Sequence, residues 1–368
     1  MDMDSALEQY FQEYQDLEIH DLMLKDRPRQ EAYCKAISNN TKLFKDKIVL
    51  DVGAGTGILS AFCAKAGAKL VYAVEASDLA KIALEVIEEN ELTSVVKVIR
   101  SKIEDFVLPA SLGKVDIIVS EWMGFFLLHE GMLDSVIYAR DKFLKEGGVM
   151  FPQEATIIVA PCSVPSLYKY YNDVDGIKMT KFAKRLREQK SSKPEICCLK
   201  KEDLLAEGTV MHFMNLEEVT LEEIEEIKFE SLVPIEYPGR FEGICIWFEV
   251  LFPAEAREDC VILSTEPQSP ATHWKQCVVV FSDDACLDVE KGEPVSYFIT
   301  MKRNPENARR YNLEVEVKDP EKVEHPMPCD CHMTKCILMK AHFDRVMAGE
   351  MVVDEDDGVQ VEKSEKIE

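Results

Sequence analysis

The sequence predicts an α/β fold in its first half, a doubly wound parallel sheet, followed by an antiparallel, β-barrel-like domain that carries a helical arm. Three observations lead there. Short β-rich runs alternate with helical patterns between residues 47 and 121, the first run ends at a glycine cluster, and beyond "GGVMFPQEA" the helices give way to short strands separated by turns. Parallel sheets of this kind bind ligands beyond the carboxyl ends of their strands.

The elements follow in order. "KIVLDVG" (47 to 53) is an apolar, β-rich run ending at glycine, and "ILSAFCAKAG" has helical apolar spacing. "KLVYAVEA" reads as a second strand, "DLAKIALEVIEEN" as a helix opened by an aspartate cap, and "VVKVIRSK" and "VDIIVSE" as two further strands. "GMLDSVIYARDKFL" is helical. From 153 to 320 the β-rich runs "ATIIVAPC", "CIWFEVLF", "QCVVVF" and "VSYFITM" suggest the antiparallel domain. Within it "LYKYYNDVDGIKMTKFAKRLREQKSSKPE" is more helical and more basic, and reads as an inserted arm over 164–195. The expected units are therefore 1–25, 26–152, 153–320 and a C-terminal extension, 321–368. From Asp354 that extension is acidic and poor in large apolar residues, the composition of a disordered tail.

Composition narrows the function. A chain of 368 residues, 46% apolar, exceeds the size at which one core usually keeps growing. A net charge of -25 argues against a nucleic-acid surface and favours a cationic partner. The opening "MDMDSALEQYF" has neither a basic nor an apolar leader region, and no run approaches the roughly 18 apolar residues of a membrane span, so a soluble, untargeted chain with no membrane partner is expected. Twelve scattered cysteines read as free intracellular thiols rather than a disulfide framework. Four ligand-type residues, Cys329, Cys331, His332 and Cys336, lie in "CDCHMTKC", but without a paired CxxC framework they read as exposed, reactive thiols, and no metal site is expected. The basic run "KFAKRLREQK" reads as the solvated face of a helix more readily than as a nuclear import patch.

The chemistry concentrates in two places. "LDVGAGTG" sets Gly53, Gly55 and Gly57 between a strand and a helix, letting backbone approach a ligand; purely structural tight turns share this feature. The spacing is GxGxG, not the GxGxxG of dinucleotide enzymes, and Glu75 at the end of the next strand can take both hydroxyls of a ribose. S-adenosylmethionine lacks a pyrophosphate and needs a cation for its carboxylate, for which Arg27 and Arg29 are available. The glycine spacing therefore points to methyl transfer. The second place is "SEWMGFFLLHEGML", where Glu121 and Glu130 flank an apolar run. Buried carboxylates need a cation, and the planar guanidinium of arginine, with five N–H donors, fits between two of them. The plainer alternatives are two solvated glutamates, or Glu130 capping the following helix.

"SEWMG" with a second glutamate nine residues after the first, downstream of "LDVGAGTGIL" and followed by "THWKQ" (272 to 276), closely resembles the protein arginine methyltransferases. The resemblance runs from "YFQEYQDLEIHDLML" to about residue 315 and is strongest to the protein arginine methyltransferase 6 subgroup, through "VYAVEAS", "LLHEGML", "LSTEP" and "PATHWKQ". It implies a Rossmann-like S-adenosylmethionine-binding domain, with S-adenosylhomocysteine as product, and an arm that docks on a second subunit to form a homodimer. It places His20, Arg29, Gly53, Glu75 and Glu104 in contact with the cofactor, with Met23, Asp51, Gly55, Gly57, Ala76 and Met132 in the same site. Glu121 and Glu130 fall on the catalytic pair, His273 on the family's "THW" histidine, with Asp26 as its partner, and Tyr14 and Trp274 on the substrate side. Tyr10, Phe11 and Tyr14 match a helix folded over the cofactor.

The implied activity is that of a type I enzyme. It would methylate arginines in histones and Arg/Gly-rich RNA-binding proteins to monomethyl and asymmetric dimethyl forms, in the nucleus and/or cytoplasm, without binding nucleic acid directly. Met23 and Met132 match methionines of the asymmetric class. Phe125 departs from the tyrosine that many members carry. That departure and the unmatched C-terminal extension support an alternative, a catalytically weak scaffold. A small-molecule methyltransferase or nicotinamide enzyme would use the same sheet, but the glutamate pair with "THW" argues against it.

Overall fold

A computed structural model describes residues 16–348, together with the backbone of 351–353 and 360–362. Tyr10, Phe11 and Tyr14, and most of the acidic tail, lie outside the described residues. Two helices open the chain, α1 (Leu17–Lys25) and α2 (Arg27–Asn39), with a short α3 (Thr41–Phe44) behind them. The break between α1 and α2 is Asp26, whose backbone is extended and whose carboxylate accepts the N–H of Arg29 at 3.1 Å, capping α2.

The first sheet then forms. Strands β1 (Ile48–Val52), β2 (Leu70–Glu75), β3 (Val96–Arg100), β4 (Val115–Val119) and β5 (Leu144–Phe151) pair in parallel in the order β3-β2-β1-β4-β5. Helices α4 (Ile58–Lys65), α5 (Leu79–Glu89) and α6 (Leu133–Phe143) connect them. The strand order reverses between β1 and β4, which places a ligand crevice at the carboxyl ends of those two strands. The doubly wound reading is therefore met. The expected aspartate cap of α5 is not: Asp78 makes no side-chain cap and pairs with Arg100 at 2.7 Å, while Ser77 Oγ accepts the Leu79 N–H at 3.2 Å. A hydroxyl one residue earlier reaches the helix N-terminus while the stronger charge turns to an arginine.

The second half is antiparallel. Strand β6 (Glu154–Cys162) enters it, followed by the arm helices α7 (Pro165–Tyr168) and α8 (Thr180–Lys190) and strands β7 (Glu195–Cys197), β8 (Thr209–Asn215), β9 (Glu226–Pro234), β10 (Gly239–Phe241), β11 (Gly243–Phe252), β12 (Val261–Ser264), β13 (Gln276–Val280), β14 (Leu287–Val289), β15 (Pro294–Asn304) and β16 (Asn307–Lys318). A six-stranded sheet runs β7-β13-β11-β6-β8 with β12 against β11, and a three-stranded sheet runs β16-β15-β9. The basic run of the arm is partly consumed within the chain: Arg187 is buried and donates to Glu242 at 2.8 Å and to the Phe281 carbonyl at 2.7 Å, and Lys190 pairs with Glu195.

One apolar core extends through both halves. Tyr33 on α2 meets Phe252 on β11 edge-on at 4.7 Å, and Phe44 meets Phe151 at 5.0 Å. Polar stitches reinforce the joint: Asn40 donates to the Pro253 carbonyl at 3.0 Å, and buried Arg140 donates to the carbonyls of Leu216 and Val219. Each fully buried aromatic side chain contributes about 1.5–3 kcal/mol.

The C-terminal extension corrects two expectations. Cys329, Cys331 and Cys336 are 5%, 2% and 4% exposed, so they are not exposed thiols; they sit under Leu232 and Met333 at the start of α9 (Thr334–Met347). His332 is exposed and stands apart from them, its backbone N–H donating to the Gly292 carbonyl. Beyond α9, β17 (Met351–Val353) and β18 (Gln360–Glu362) pair antiparallel, and β18 lies within the tail expected to be disordered. No described helix is long and apolar enough to cross a membrane.

Candidate active site at the switch point of the parallel sheet

A cavity of about 410 Å³ opens at the carboxyl ends of β1, β2 and β4. Its floor is the glycine loop. Gly53 and Gly55 adopt φ of 73° and 54°, a region open mainly to glycine, and both line the cavity. A Cβ at Gly53 would strike the Met132 thioether, and one at Gly55 would lie 3.6 Å from the His20 ring. The loop is pinned from below by the Val74 carbonyl, which accepts the N–H groups of Gly53 and Ala54 at 2.9 and 3.1 Å.

Glu75 closes one side. One carboxylate oxygen accepts the Gly55 N–H at 2.9 Å and the other the Ser77 N–H at 2.8 Å, which fixes the group while leaving lone pairs on both oxygens for two hydroxyls. Ala76 and the segment from Ser101 to Glu104 continue this wall, and Ser135 donates to Glu104 at 2.8 Å. His20 and Met23 of α1 line the cavity from above.

The opposite wall is the glutamate loop after β4. Phe126, Leu127 and Glu130 hold φ of 38°, 78° and 64°, a conformation that costs non-glycine residues about 1–3 kcal/mol each and survives only where its surroundings over-determine it. The restraints are visible. Tyr33 Oη donates to the Ser120 carbonyl at 2.9 Å, Ser120 Oγ donates to Val52, Met132 N–H to the Trp122 carbonyl, and Glu130 N–H to the Arg309 carbonyl at 2.6 Å. Gly124 is required because a Cβ there would collide with the His129 carbonyl.

Both glutamates line the cavity, and each already holds an arginine. Arg29 Nε and Nη2 donate to one oxygen of Glu121 at 2.9 and 2.8 Å, with both side chains under 10% exposed. Glu130 is 34% exposed and meets Arg310 Nη2 at 3.2 Å. His129 Nε2 lies 3.9 Å from Glu130, while His129 Nδ1 accepts the Tyr311 N–H. Burial holds the His129 pKa below its ordinary value against the pull of Glu130, so this ring adds no charge at neutral pH.

Asp26 and His273 form a pair. The Asp26 carboxylate lies 2.6 Å from His273 Nδ1 and also accepts the His273 backbone N–H at 2.9 Å. Burial would raise the Asp26 pKa, but hydrogen bonds from the His273 ring and backbone and from Arg29, with the charge of His273, bring it below the usual carboxylate value.

Three residues expected at the ligand have other partners in the structure. Asp51 is fully buried beneath the loop, outside the cavity lining; Ser60 Oγ donates to it at 2.6 Å, and burial pushes its pKa up to about 7. Gly57 also faces away: a Cβ there would lie 3.4 Å from Ala83 Cβ, so this glycine serves the packing of α4 on α5. Trp274 lines the cavity, but its indole N–H is committed to the Met123 carbonyl at 3.0 Å, so it positions the glutamate loop. Sequence reading missed Tyr33, Arg309 and Arg310. Only the adjacent arginines of "NARRYNLEV" offered a signal.

The donor set fits S-adenosylmethionine: a glycine cradle that a Cβ would obstruct, a carboxylate with two accepting oxygens, and a buried arginine. Comparison with known proteins agrees. Residues 153–320 match the family model for the arginine methyltransferase oligomerization subdomain, and residues 34–150 match that for the ribosomal protein L11 methyltransferase (PrmA). The chain is 36% identical over 334 residues to a probable protein arginine N-methyltransferase 6.1 of Oryza sativa subsp. indica, covering 83% of this chain and 87% of the relative. It is 38% identical over 325 residues to protein arginine N-methyltransferase 6 of Danio rerio, covering 86% and 90%. Its fold matches a Trypanosoma brucei PRMT1 enzyme-prozyme heterotetrameric complex with AdoHcy, with a TM-score of 0.73 and 31% identity over 85% of this chain and 97% of that one. On these grounds the chain belongs to the protein arginine N-methyltransferase family.

Proposed function

We propose that the chain is a type I protein arginine methyltransferase, producing monomethyl and asymmetric dimethyl arginine in basic protein substrates such as histone and Arg/Gly-rich tails. The observation that carries this reading is that two glutamates of one strained loop face one cavity and each binds a guanidinium. Glu121 takes Arg29 in a buried pair, while Glu130 takes Arg310 at the solvent edge, where an incoming arginine can displace it.

The bound cofactor supplies an electrophilic sulfonium methyl. A free guanidinium is a poor nucleophile, because its nitrogen lone pairs are delocalised and it stays protonated far above neutral pH. Glu121 and Glu130 would fix its plane, draw positive charge towards the nitrogens they touch, and aim the remaining nitrogen at the donor side of the cavity. Alignment and electrostatics then supply most of the acceleration. The departing proton would leave through His273 in its neutral form, the ring being oriented by Asp26. Met23 and Met132 flank the cavity and support the asymmetric product.

A net charge of -25 supports attraction of basic substrates. Exposed Tyr170, Ile177 and Phe182 on the arm support a homodimer. Twelve free cysteines support a reducing compartment, the nucleus and/or cytoplasm. The test is incubation with labelled S-adenosylmethionine and histone and Arg/Gly-rich peptides, followed by amino-acid analysis of the arginines. Asymmetric dimethylarginine, lost in Glu130→Gln, is expected; symmetric dimethylarginine would overturn the product assignment, and cofactor binding without transfer would overturn the activity.

A further inference from the structure

His325, Cys329, Cys331 and Cys336 come together in the C-terminal extension, outside the cavity lining, and the methyl-transfer reading uses none of them. One ligand-type atom from each lies within 4.8 Å of all the others. The sulfurs of Cys329, Cys331 and Cys336 stand 3.6, 3.5 and 3.1 Å from the same atom, His325 Nδ1.

Hydrogen bonding alone does not account for that convergence. A neutral imidazole nitrogen has one lone pair and accepts one proton, and S–H is a weak donor, so two of the three buried sulfurs gain little from this neighbour. A disulfide would use two thiols and strand the third, and all three are free. A cation at the centre accounts for all four groups, because each offers it a lone pair. With metal–sulfur distances of about 2.3 Å and metal–nitrogen distances of about 2.0–2.1 Å, a tetrahedron has sulfur–nitrogen edges of about 3.6 Å, close to those present.

The surroundings are those of a ligand set. His325 Nε2 lies 2.9 Å from the Pro320 carbonyl, which accepts its proton and leaves the Nδ1 lone pair aimed at the sulfurs. The three cysteines are buried, and Leu232 of β9 and Met333 cover them. Cys336 lies on the first turn of α9, where its N–H is anchored to the Met333 carbonyl at 2.9 Å, and the His332 N–H ties the intervening loop to Gly292 at 3.0 Å. The ligand backbone is thus fixed both to the helix and to the β domain.

We propose that His325, Cys329, Cys331 and Cys336 form a structural zinc site that fastens the C-terminal extension and α9 to the β domain. Three thiolates and one imidazole are a soft donor set that selects zinc, and four protein ligands close the tetrahedron, leaving no position for a substrate. On binding, three S–H bonds break, three protons pass to solvent, and three sulfur–zinc bonds and one nitrogen–zinc bond form. No electron transfer is involved.

The test reads metal directly and is independent of methyl transfer. The full chain, expressed with zinc in the medium and freed of loosely held ions by gel filtration, is assayed by plasma mass spectrometry. One zinc per chain is expected. Cys336→Ser and His325→Ala should lose it, while Cys34→Ser and His332→Ala should keep it. Replacement of zinc by cobalt(II) in the unmutated protein should give thiolate charge-transfer bands and the intense visible bands of a tetrahedral centre, a readout that does not depend on any variant folding. Metal content well below one zinc per chain after reconstitution, stoichiometric iron in its place, weak octahedral cobalt bands, or full zinc retention by Cys336→Ser would each overturn the assignment.

Discussion

Replacement of Arg29 by alanine tests whether Glu121 is held as a charge. Arg29 Nε and Nη2 reach a single Glu121 oxygen at 2.9 and 2.8 Å, with side chains 8% and 9% exposed. Two unit charges about 4 Å apart attract by about 4 kcal/mol at an effective dielectric constant near 20, and removing one member of a buried pair typically destabilises by about 3–5 kcal/mol. Arg29→Ala should therefore lose about that much in urea unfolding of the cofactor-free protein at neutral pH. Arg29→Ala/Glu121→Ala should recover most of it, because the orphaned carboxylate is then gone, so the double-mutant cycle should show strong non-additivity. A loss below about 1 kcal/mol, the range of a solvated pair, or a double variant equal to the sum of the singles, would refute the reasoning.

Two further outcomes follow from the same geometry. Asp51 has its pKa raised by burial, and further by the charge of Glu75, from 3.8 to about 7, so the folded state prefers it protonated; its contribution to stability is full below the unfolded pKa and is lost as pH rises through about 7. About 3 units at 1.36 kcal/mol each give about 4 kcal/mol, so Asp51→Asn should flatten the fall of melting temperature between pH 4 and 8, and parallel slopes for the two proteins would exclude a neutral buried Asp51. Arg310→Ala releases Glu130 from an exposed pair worth about 0.2–1 kcal/mol, so stability should barely change and KM for an arginine peptide should fall by up to about fivefold; a raised KM would mean that Arg310 assists the substrate instead of competing with it.

Local patterns made much of the molecule legible. The strand–glycine–helix unit, Glu75 at its strand end, and the two glutamates are short-range signals, and the structure places Gly53, Gly55, Glu75, Glu121 and Glu130 around one cavity. Contacts made by distant segments were not legible. Arg309 and Arg310 come from β16, and Tyr33 from α2, to meet a loop that no spacing rule connects to them. Asp51 and Gly57 belong to the glycine motif, but which motif residues face the ligand depends on strand pleat and on the packing of α5. In "CDCHMTKC" the apparent ligand histidine is His332, whereas the chain folds His325 in from outside that stretch. The placement of Tyr14 lies outside the described residues.

The glutamate loop has two masters. Its start, at Ser120, is tied to Tyr33 and Val52 in the first half of the chain, while Met123 and Glu130 further along are held by Trp274 and the Arg309 carbonyl in the second. The donor wall at Glu75 and the glycines is built entirely from the first half. Mutation at the rim of the β domain can therefore re-aim the acceptor carboxylates while leaving the methyl-donor pocket intact. Over evolutionary time that separation lets one scaffold change which arginines it modifies without reinventing how it holds its donor.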